Sequence, residues 1–167
     1  MAARAHHTAI CVRDVEASVR FYRDGLGLHE IMAHEFDGDW ATLFGASASR
    51  LSSVFLGDPD RPDAGIVELV VFDTVDDADA AQDADGAHGA YVTHGADGAE
   101  ERVPPPSGFF LLSFFVDVDA TLERLARLGH TGVRRIEQPG PRGDVSMATL
   151  LDPDGVLVEL IDPGRAR

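Results

Sequence analysis

The 167-residue chain is acidic, with 29 acidic and 14 basic side chains and a formal net charge of −15. This charge argues against nucleic acids and anionic membranes as partners, because both require a cationic surface. The single cysteine, Cys11, excludes an internal disulfide. The N-terminus has no hydrophobic signal segment, and no apolar run reaches the length of about eighteen residues that a membrane span needs. These features predict a cytoplasmic protein of one domain, or of two small modules that share a core.

The first half of the chain reads as a strand, a helix and three further strands. In the opening strand, His7, Ala9 and Cys11 share one face, and this face is small enough to leave room for a cavity. Asp14 is a typical N-cap, and the glycines at 25 and 27 end the helix. The predicted elements are a strand at 6–12, a helix at 15–24, strands at 28–36, 50–56 and 66–72, and a short strand or lid at 40–44.

The same order returns after a segment of different composition. Residues 73–107 are rich in Asp, Ala and Gly and end in three prolines. We interpret them as an inter-module connection with a short helix near 76–84, whose length suggests either a functional or a mobile segment. The predicted elements beyond it are a strand at 108–116, a helix at 117–129, and strands at 133–137, 146–151 and 156–161.

Each half ends on a strand that carries one carboxylate among apolar residues. The last strand follows a tight turn at residues 152–155, where Asp-Pro-Asp-Gly predicts a hairpin loop. In it, Glu159 shares a face with Leu157 and Ile161, and Glu68 lies in a similar setting in the fourth strand. Burying a lone carboxylate costs several kcal/mol unless a cation, a metal ion or a proton neutralises it. Both glutamates are therefore candidate functional residues.

An internal repeat sets the predicted architecture. Residues 14–18 match 117–121 at the junction between strand and helix, and residues 67–69 match 158–160 in the last strand of each half. The repeat predicts an α+β fold in which two βαβββ modules in tandem form a curled mixed sheet around a central cleft. The predicted boundaries are 1–73 for the first module, 74–107 for an acidic inter-module segment and 108–167 for the second module.

Three segments together resemble the vicinal oxygen chelate superfamily. They are HTAICVRD at 7–14, ASVRFYRDGLGL at 17–28 and LDPDGVLVEL at 151–160. This superfamily contains glyoxalase I, methylmalonyl-CoA epimerase, extradiol ring-cleaving dioxygenases, fosfomycin-modifying enzymes and the metal-free bleomycin-resistance proteins. The resemblance covers nearly all of the chain except the 73–107 segment. It is specific for the fold and weak for the reaction, because this fold supports several chemistries.

The resemblance implies a metal ion in the cleft, bound by the first and last strands of each module. By position, the ligands are His7, Glu68 and Glu159. The fourth position falls on Phe110 or, with a shift of one residue, on Leu111, and neither can bind a metal. This departure counts most against a ring-cleaving dioxygenase. The remaining three ligands favour Mn, Fe, Co, Ni or Zn and leave part of the coordination sphere open.

Simpler explanations exist for the same residues. His7 could be a solvated histidine at the end of a strand. Each glutamate could pair with an arginine, such as Arg50, Arg134 or Arg142, without any metal. Cys11 is interpreted as a packing residue, because nothing beside it in sequence would lower its pKa.

The first functional hypothesis is a metal-dependent lyase or isomerase of glyoxalase or epimerase type. It would act on a small chelating oxygenated substrate, and Glu159 or Glu68 would abstract a proton. The alternative is a metal-free small-molecule binding protein of bleomycin-resistance type, and a ring-cleaving dioxygenase is the third hypothesis. The resemblance also favours a homodimer. It leaves open the substrate and whether the cleft forms within one chain or across two.

Overall fold

A computed structural model describes residues 5–44, 48–74, 91–94, 100–103, 108–140 and 143–162. The helix predicted near 76–84 lies outside these residues. Within them, two four-stranded mixed sheets are present, each with the helix of its own module between its first and second strands. The predicted fold class, two βαβββ modules in tandem, is thereby confirmed, although the two sheets do not close on each other.

The first sheet has the strand order β1-β4-β3-β2, in which β1 and β4 are parallel and the other pairs are antiparallel. Its helix α1 begins after Asp14, whose carboxylate accepts the backbone N–H of Ala17 at 3.0 Å. The elements are β1 (His7–Cys11), α1 (Val15–Val19), which continues as a π-helical segment (Arg20–Gly25), β2 (His29–Asp37), α2 (Trp40–Phe44), β3 (Ala48–Gly57) and β4 (Ile66–Thr74).

The second sheet repeats this topology with the order β7-β10-β9-β8. Strand β10 pairs in parallel with β7 and antiparallel with β9, and the predicted Asp-Pro-Asp-Gly turn joins β9 to β10. Between the two sheets in chain order lies an antiparallel hairpin that the sequence did not predict. The elements are β5 (Tyr91–His94), β6 (Glu100–Val103), β7 (Leu112–Phe115), α3 (Val118–Arg127), β8 (Arg134–Gly140), β9 (Gly143–Leu151) and β10 (Leu157–Asp162).

Two predicted elements differ from the structure for identifiable reasons. Residues 40–44 form the helix α2 and not a strand, because the carboxylate of Asp39 caps them by accepting the N–H of Thr42 at 3.0 Å. Strand β7 is shorter than the predicted 108–116, since its pairing with β10 begins only at Leu112. The preceding Phe109 and Phe110 are 46% and 45% exposed and belong to no strand.

Helix residues of both modules share one buried core. Phe21 and Tyr22 after α1 pack with Leu125 of α3, and all three are completely buried. Gly25 lies against Leu125 so closely that even a methyl group there would collide with it. The guanidinium of Arg124 adds a polar link by donating to the carbonyl of Gly25 at 2.9 Å. The two modules are therefore joined through their helices.

The hairpin turn of the second module also contacts the helix of the first module through hydrogen bonds. Tyr22 donates its hydroxyl to the buried carboxylate of Asp152 at 2.7 Å, and Asp152 also accepts the backbone N–H groups of Asp154 and Val156. Burial raises the pKa of Asp152, although these hydrogen bonds oppose the change. Asp154 in turn accepts the hydroxyl of Ser18 at 2.7 Å. Among the helices described, none is long and apolar enough to cross a membrane.

Candidate functional site

Glu68 and His7, two of the predicted site residues, lie in direct contact on the first sheet. The parallel register of β1 and β4 places Ala9 opposite Glu68, so that His7, two residues earlier, lies diagonally across from it on the same face. His7 Nε2 is 3.1 Å from Glu68 Oε2, and the two side chains are 40% and 12% exposed. The nearly buried carboxylate thus has an imidazole within hydrogen-bonding distance.

The other carboxylate oxygen of Glu68 is held by a serine that the sequence pattern did not single out. Ser53 of β3 is buried and donates its hydroxyl to Glu68 Oε1 at 2.7 Å. Phe55 of β3 lies opposite Glu68. Ser53 is two residues before Phe55 and therefore points to the same face of the sheet as Glu68. No sequence signal marks Ser53, since its role depends on the register between two strands. Arg50, considered above as a partner for a glutamate, instead pairs with Asp37 at 2.9 Å.

The hydrogen-bonded chain extends on the solvent side to a second histidine. His6 Nδ1 and His7 Nδ1 are 2.9 Å apart. When His7 donates from Nε2 to Glu68, its Nδ1 carries the lone pair and accepts the N–H of His6. His6, His7, Glu68 and Ser53 therefore form one connected row of acid–base groups. The adjacent His6-His7 pair in the sequence was a visible signal for this, but its spacing alone did not demand it.

A cavity of about 450 Å³ opens in front of the His7–Glu68 pair. The small face of β1 provides its floor, as predicted, with Ala9 and Cys11 beside His7. Aromatic side chains from β2, α2, β3 and β4 form most of its walls, and apolar residues of β3 and β4 complete them. Burial, together with the nearby charge of Glu68, raises the pKa of the Cys11 thiol, so Cys11 is an uncharged lining group and not an activated nucleophile.

Glu159, the third predicted site residue, lies on the second sheet. It is half-buried on β10, where its carboxylate accepts the hydroxyl of Ser113 at 2.7 Å. A smaller cavity of about 160 Å³ beside it includes Arg134 and Arg135 of β8 in its lining. Glu159 thus has a hydroxyl partner within its own module, as Glu68 has in Ser53.

The sheet register also identifies the counterpart of His7 in the second module. Ser113 lies opposite Glu159, just as Ala9 lies opposite Glu68. Two residues before Ser113 is Leu111, so Leu111 and not Phe110 corresponds to His7. The fourth ligand position, for which the sequence offered two apolar residues, is therefore occupied by a leucine side chain in the folded chain.

The predicted divalent metal ion is not matched by a complete set of donors within one chain. Among the described residues, no three His, Cys, Asp or Glu side chains lie close enough together to hold a metal ion. His7 and Glu68 supply two donors, whereas a catalytic metal site takes about three protein ligands. The described residues therefore do not fit a resident metal, and the binding of Mn, Fe, Co, Ni or Zn stays a prediction.

The fold is that of a known superfamily. A family model described as the Glyoxalase/Bleomycin resistance protein/Dioxygenase superfamily matches residues 4–99. The chain belongs to this superfamily, as the sequence resemblance predicted. A relative named Lactoylglutathione lyase-like protein terB, from Aspergillus terreus, is 36% identical over 163 residues, which cover 93% of this chain and 73% of the relative.

Solved structures agree at the level of the fold. A glyoxalase family protein from Bacillus cereus superposes with a TM-score of 0.63 at 18% identity, covering 97% of this chain and 95% of the other. Glyoxalase I from Leishmania major superposes with a TM-score of 0.53 at 21% identity, covering 97% and 88%. A glyoxalase I variant from Zea mays gives a TM-score of 0.57 at 22% identity, covering 98% of this chain and 46% of the maize chain.

Proposed function

We propose that the protein is a lyase or isomerase of glyoxalase or epimerase type that moves a proton on a small oxygenated substrate. The observation that carries this proposal is the nearly buried carboxylate of Glu68, held by Ser53 at 2.7 Å and by His7 at 3.1 Å at the floor of an apolar cavity. A carboxylate that faces an apolar cavity and is held in a fixed position is well placed to act as a general base. The lyase-like name of the Aspergillus terreus relative supports the same class.

In this mechanism Glu68 is the base and His7 is the electrophilic partner. The substrate carbon next to a carbonyl loses its proton to Glu68 Oε2, and the electron pair of the C–H bond moves onto the carbonyl oxygen. Once Oε2 is protonated, the N–H of His7 Nε2 is released from Glu68 and can donate to the new enolate oxygen. Glu68 then returns the proton to a neighbouring carbon or to the opposite face. Ser53 keeps the carboxylate in place throughout.

Deuterium exchange on two model compounds tests this role of Glu68. The protein would be incubated in D₂O with acetoin and with the hemithioacetal of methylglyoxal and glutathione, and NMR would follow loss of the proton next to the carbonyl. We expect exchange on one of these compounds, and we expect Glu68→Gln to slow it by about 100-fold or more. Failure of Glu68→Gln to slow the exchange would contradict the proposal.

Glu159→Gln is the matched control, because it makes the same change at the corresponding position of the second module. We expect the exchange rate to stay within about threefold of the wild type, since no atom of the Glu68 row touches Glu159 in the described hydrogen bonds. The catalytic and metal-binding roles predicted for Glu159 stay predictions. An equal loss in both variants, together with stoichiometric metal by elemental analysis, would support the three-ligand set of His7, Glu68 and Glu159 instead.

The second candidate function is small-molecule binding without turnover. It is favoured by the apolar character of the cavity, in which His7 and Glu68 are the only histidine and acidic side chains among the described lining residues. A binding protein needs the cavity and not the base. Tight, stoichiometric binding of a ligand with no exchange or product, unchanged in Glu68→Gln, would select this function over the lyase or isomerase.

We also propose a homodimer as the functional form. Family members often form dimers, and this chain exposes large apolar side chains around β7, with Phe115 77% exposed and Phe110 45% exposed. Burying such side chains against a second copy would remove apolar surface from water. Light scattering coupled to size-exclusion chromatography should give twice the chain mass, and Phe115→Glu should give a single chain. A monomeric wild type would contradict the proposal.

A further inference from the structure

Two rows of aromatic rings line the cavity above Glu68. In the first row, Phe36 contacts Phe55 with centroids 6.4 Å apart, and Phe55 contacts His7 at 6.1 Å, both edge to face. In the second row, Trp40 stacks on Phe44 at 5.6 Å with an interplanar angle of 11°. Phe44 then meets Phe72 edge to face at 6.2 Å. Five rings from four elements thus surround one cavity.

The helix α2 is built to hold its two rings over this cavity. The indole N–H of Trp40 donates to the carbonyl of Phe36 at 3.3 Å. The indole also packs against Gly38, where an added Cβ would lie 2.8 Å from a ring carbon of Trp40. Asp39 caps the helix through Thr42. A glycine, a cap and a side-chain hydrogen bond therefore fix the position of Trp40, whereas Phe44 remains 59% exposed at the mouth.

The cavity is poor in charge for its size. No arginine is among its described lining residues, and the chain contains no lysine. Its fixed negative group is Glu68, and the neighbouring Cys11 is kept uncharged. An anionic ligand would have to bury its charge beside a carboxylate with no cation to compensate, which costs several kcal/mol. The volume of about 450 Å³ is roughly three times that of a cavity that holds benzene, so a ring with substituents fits.

We propose that the cavity takes an uncharged, flat aromatic ketone, and that Trp40 and Phe44 of α2 are its specificity-determining residues. The ring lies against the aromatic side chains, and the carbonyl points towards the Glu68–His7 pair. This inference rests on the proposed function only in taking that pair as the reacting end of the substrate. It goes further by excluding anionic conjugates, such as those of glutathione, as preferred ligands.

The test compares two ligands that share a ring and differ in charge, 2-acetylnaphthalene and 2-naphthoate, by calorimetry on the full chain. We expect the ketone to bind at least about tenfold more tightly than the carboxylate. Trp40→Leu should weaken ketone binding by about three- to tenfold, because ring–ring contact is lost. Leu43→Ala is the matched control: Leu43 is on the same helix, 65% exposed and not among the lining residues, and binding should stay within about twofold.

Gly38→Ala and Phe44→Leu test whether Trp40→Leu weakens binding only because that variant misfolds. The first displaces the indole without removing it, and the second changes a half-exposed ring at the mouth, so both should weaken ketone binding while circular dichroism remains that of the wild type. The inference is overturned if the carboxylate binds as tightly as the ketone, if the ketone does not bind, or if the α2 variants bind it normally.

Failure of this inference is distinguishable from failure of the proposed function. If Glu68→Gln abolishes deuterium exchange but the ketone and the carboxylate bind equally, the proton-transfer role stands and the ligand assignment fails. If ketone binding depends on Trp40 but Glu68→Gln leaves exchange unchanged, the ligand assignment stands and the proton-transfer role fails.

Discussion

The two modules share one topology but use corresponding positions differently. In the first, His7 and Glu68 meet at 3.1 Å below a cavity of about 450 Å³. In the second, Leu111 replaces the histidine, and Glu159 accepts a hydrogen bond from Ser113. The strand order and the register around each glutamate are the same. The duplicated backbone thus supplies equivalent positions, while a few side chains set the surroundings of each glutamate.

At the corresponding turns, the second module and not the first makes the buried contacts. In the first module, the carboxylate of Asp58 after β3 accepts the backbone N–H of Asp60 at 2.9 Å, and both residues are exposed. In the second, Asp152 after β9 is buried and receives Tyr22 of the first module as well as two backbone N–H groups. The second module therefore contributes a structural contact that holds the helix of the first.

The largest expected difference is in stability between Asp152→Ala and Asp58→Ala. Removing the Asp152 carboxylate leaves the buried Tyr22 hydroxyl and two N–H groups without their acceptor, so the free energy of unfolding should fall by about 3 kcal/mol. The exposed Asp58 should change it by less than about 0.5 kcal/mol. Urea unfolding measures both values. Similar losses in the two variants would show that the turns are equivalent, contrary to the structure.

A slightly smaller effect is expected where the helices of the two modules touch. An ideal Cβ at Gly25 would collide with a terminal methyl carbon of Leu125 and lie 3.3 Å from its Cγ. Gly25→Ala should therefore destabilise the protein by about 2 kcal/mol through overpacking. Leu125→Ala leaves a cavity in the buried core, and the added methyl of Gly25→Ala should partly fill it. The double variant should thus lose less than the sum of the single losses, whereas additive losses would contradict the contact.

Local sequence signals were enough to predict most of the helices and strands. Strand periodicity, the N-cap Asp14 and the Asp-Pro-Asp-Gly turn are local signals, and the structure follows them. Helix α2 depends on a cap at Asp39, and the hairpin of β5 and β6 lies in a segment whose composition suggests a connection. Local composition marks neither element, because one depends on a single cap and the other on pairing between two strands.

The candidate site was predictable where it depended on strand parity. His7 and Glu68 lie on the predicted face because side chains alternate along a strand. Ser53 was not predictable, since its contact with Glu68 requires the register of β3 against β4. The same limit applies to Glu159: parity shows which face it occupies but not its distance from the first sheet. Register and the packing between sheets are set by tertiary contacts that a single strand does not encode.

Stability at alkaline pH reports on the hydrogen bond between Tyr22 of the first module and Asp152 of the second. Burial, and then the charge of Asp152, raise the pKa of Tyr22 above its usual value of 10.0. Above pH 10 the unfolded chain therefore releases the tyrosine proton while the folded chain retains it. The free energy of unfolding should fall by about 1.4 kcal/mol per pH unit from this group alone, and Tyr22→Phe should remove that slope.

Urea unfolding between pH 8 and 11 measures the Tyr22 effect. The variant should be about 1 kcal/mol less stable at pH 8, because it lacks the hydroxyl that donates to Asp152. The titration of Cys11 affects both proteins alike, so the difference between their slopes reports Tyr22. Parallel slopes would mean that Tyr22 ionises equally in the folded and unfolded chains.

The smallest expected effect distinguishes the two glutamates through the thiol of Cys11. Burial, and secondarily the charge of Glu68, raise the pKa of Cys11, so alkylation by iodoacetamide at pH 7.5 should be slow. Glu68→Gln removes the charge, lowers the pKa and should speed alkylation by about two- to threefold, since only the thiolate reacts. Glu159→Gln should leave the rate unchanged, because burial and the charge of Glu68 raise the pKa of Cys11 and Glu159 does not contribute. If Glu159→Gln sped the reaction as much as Glu68→Gln, the field of the second glutamate would reach the cavity, and the two modules would share one electrostatic site. A rate that changes only with Glu68→Gln would mean that the charge felt at Cys11 comes from the first module alone.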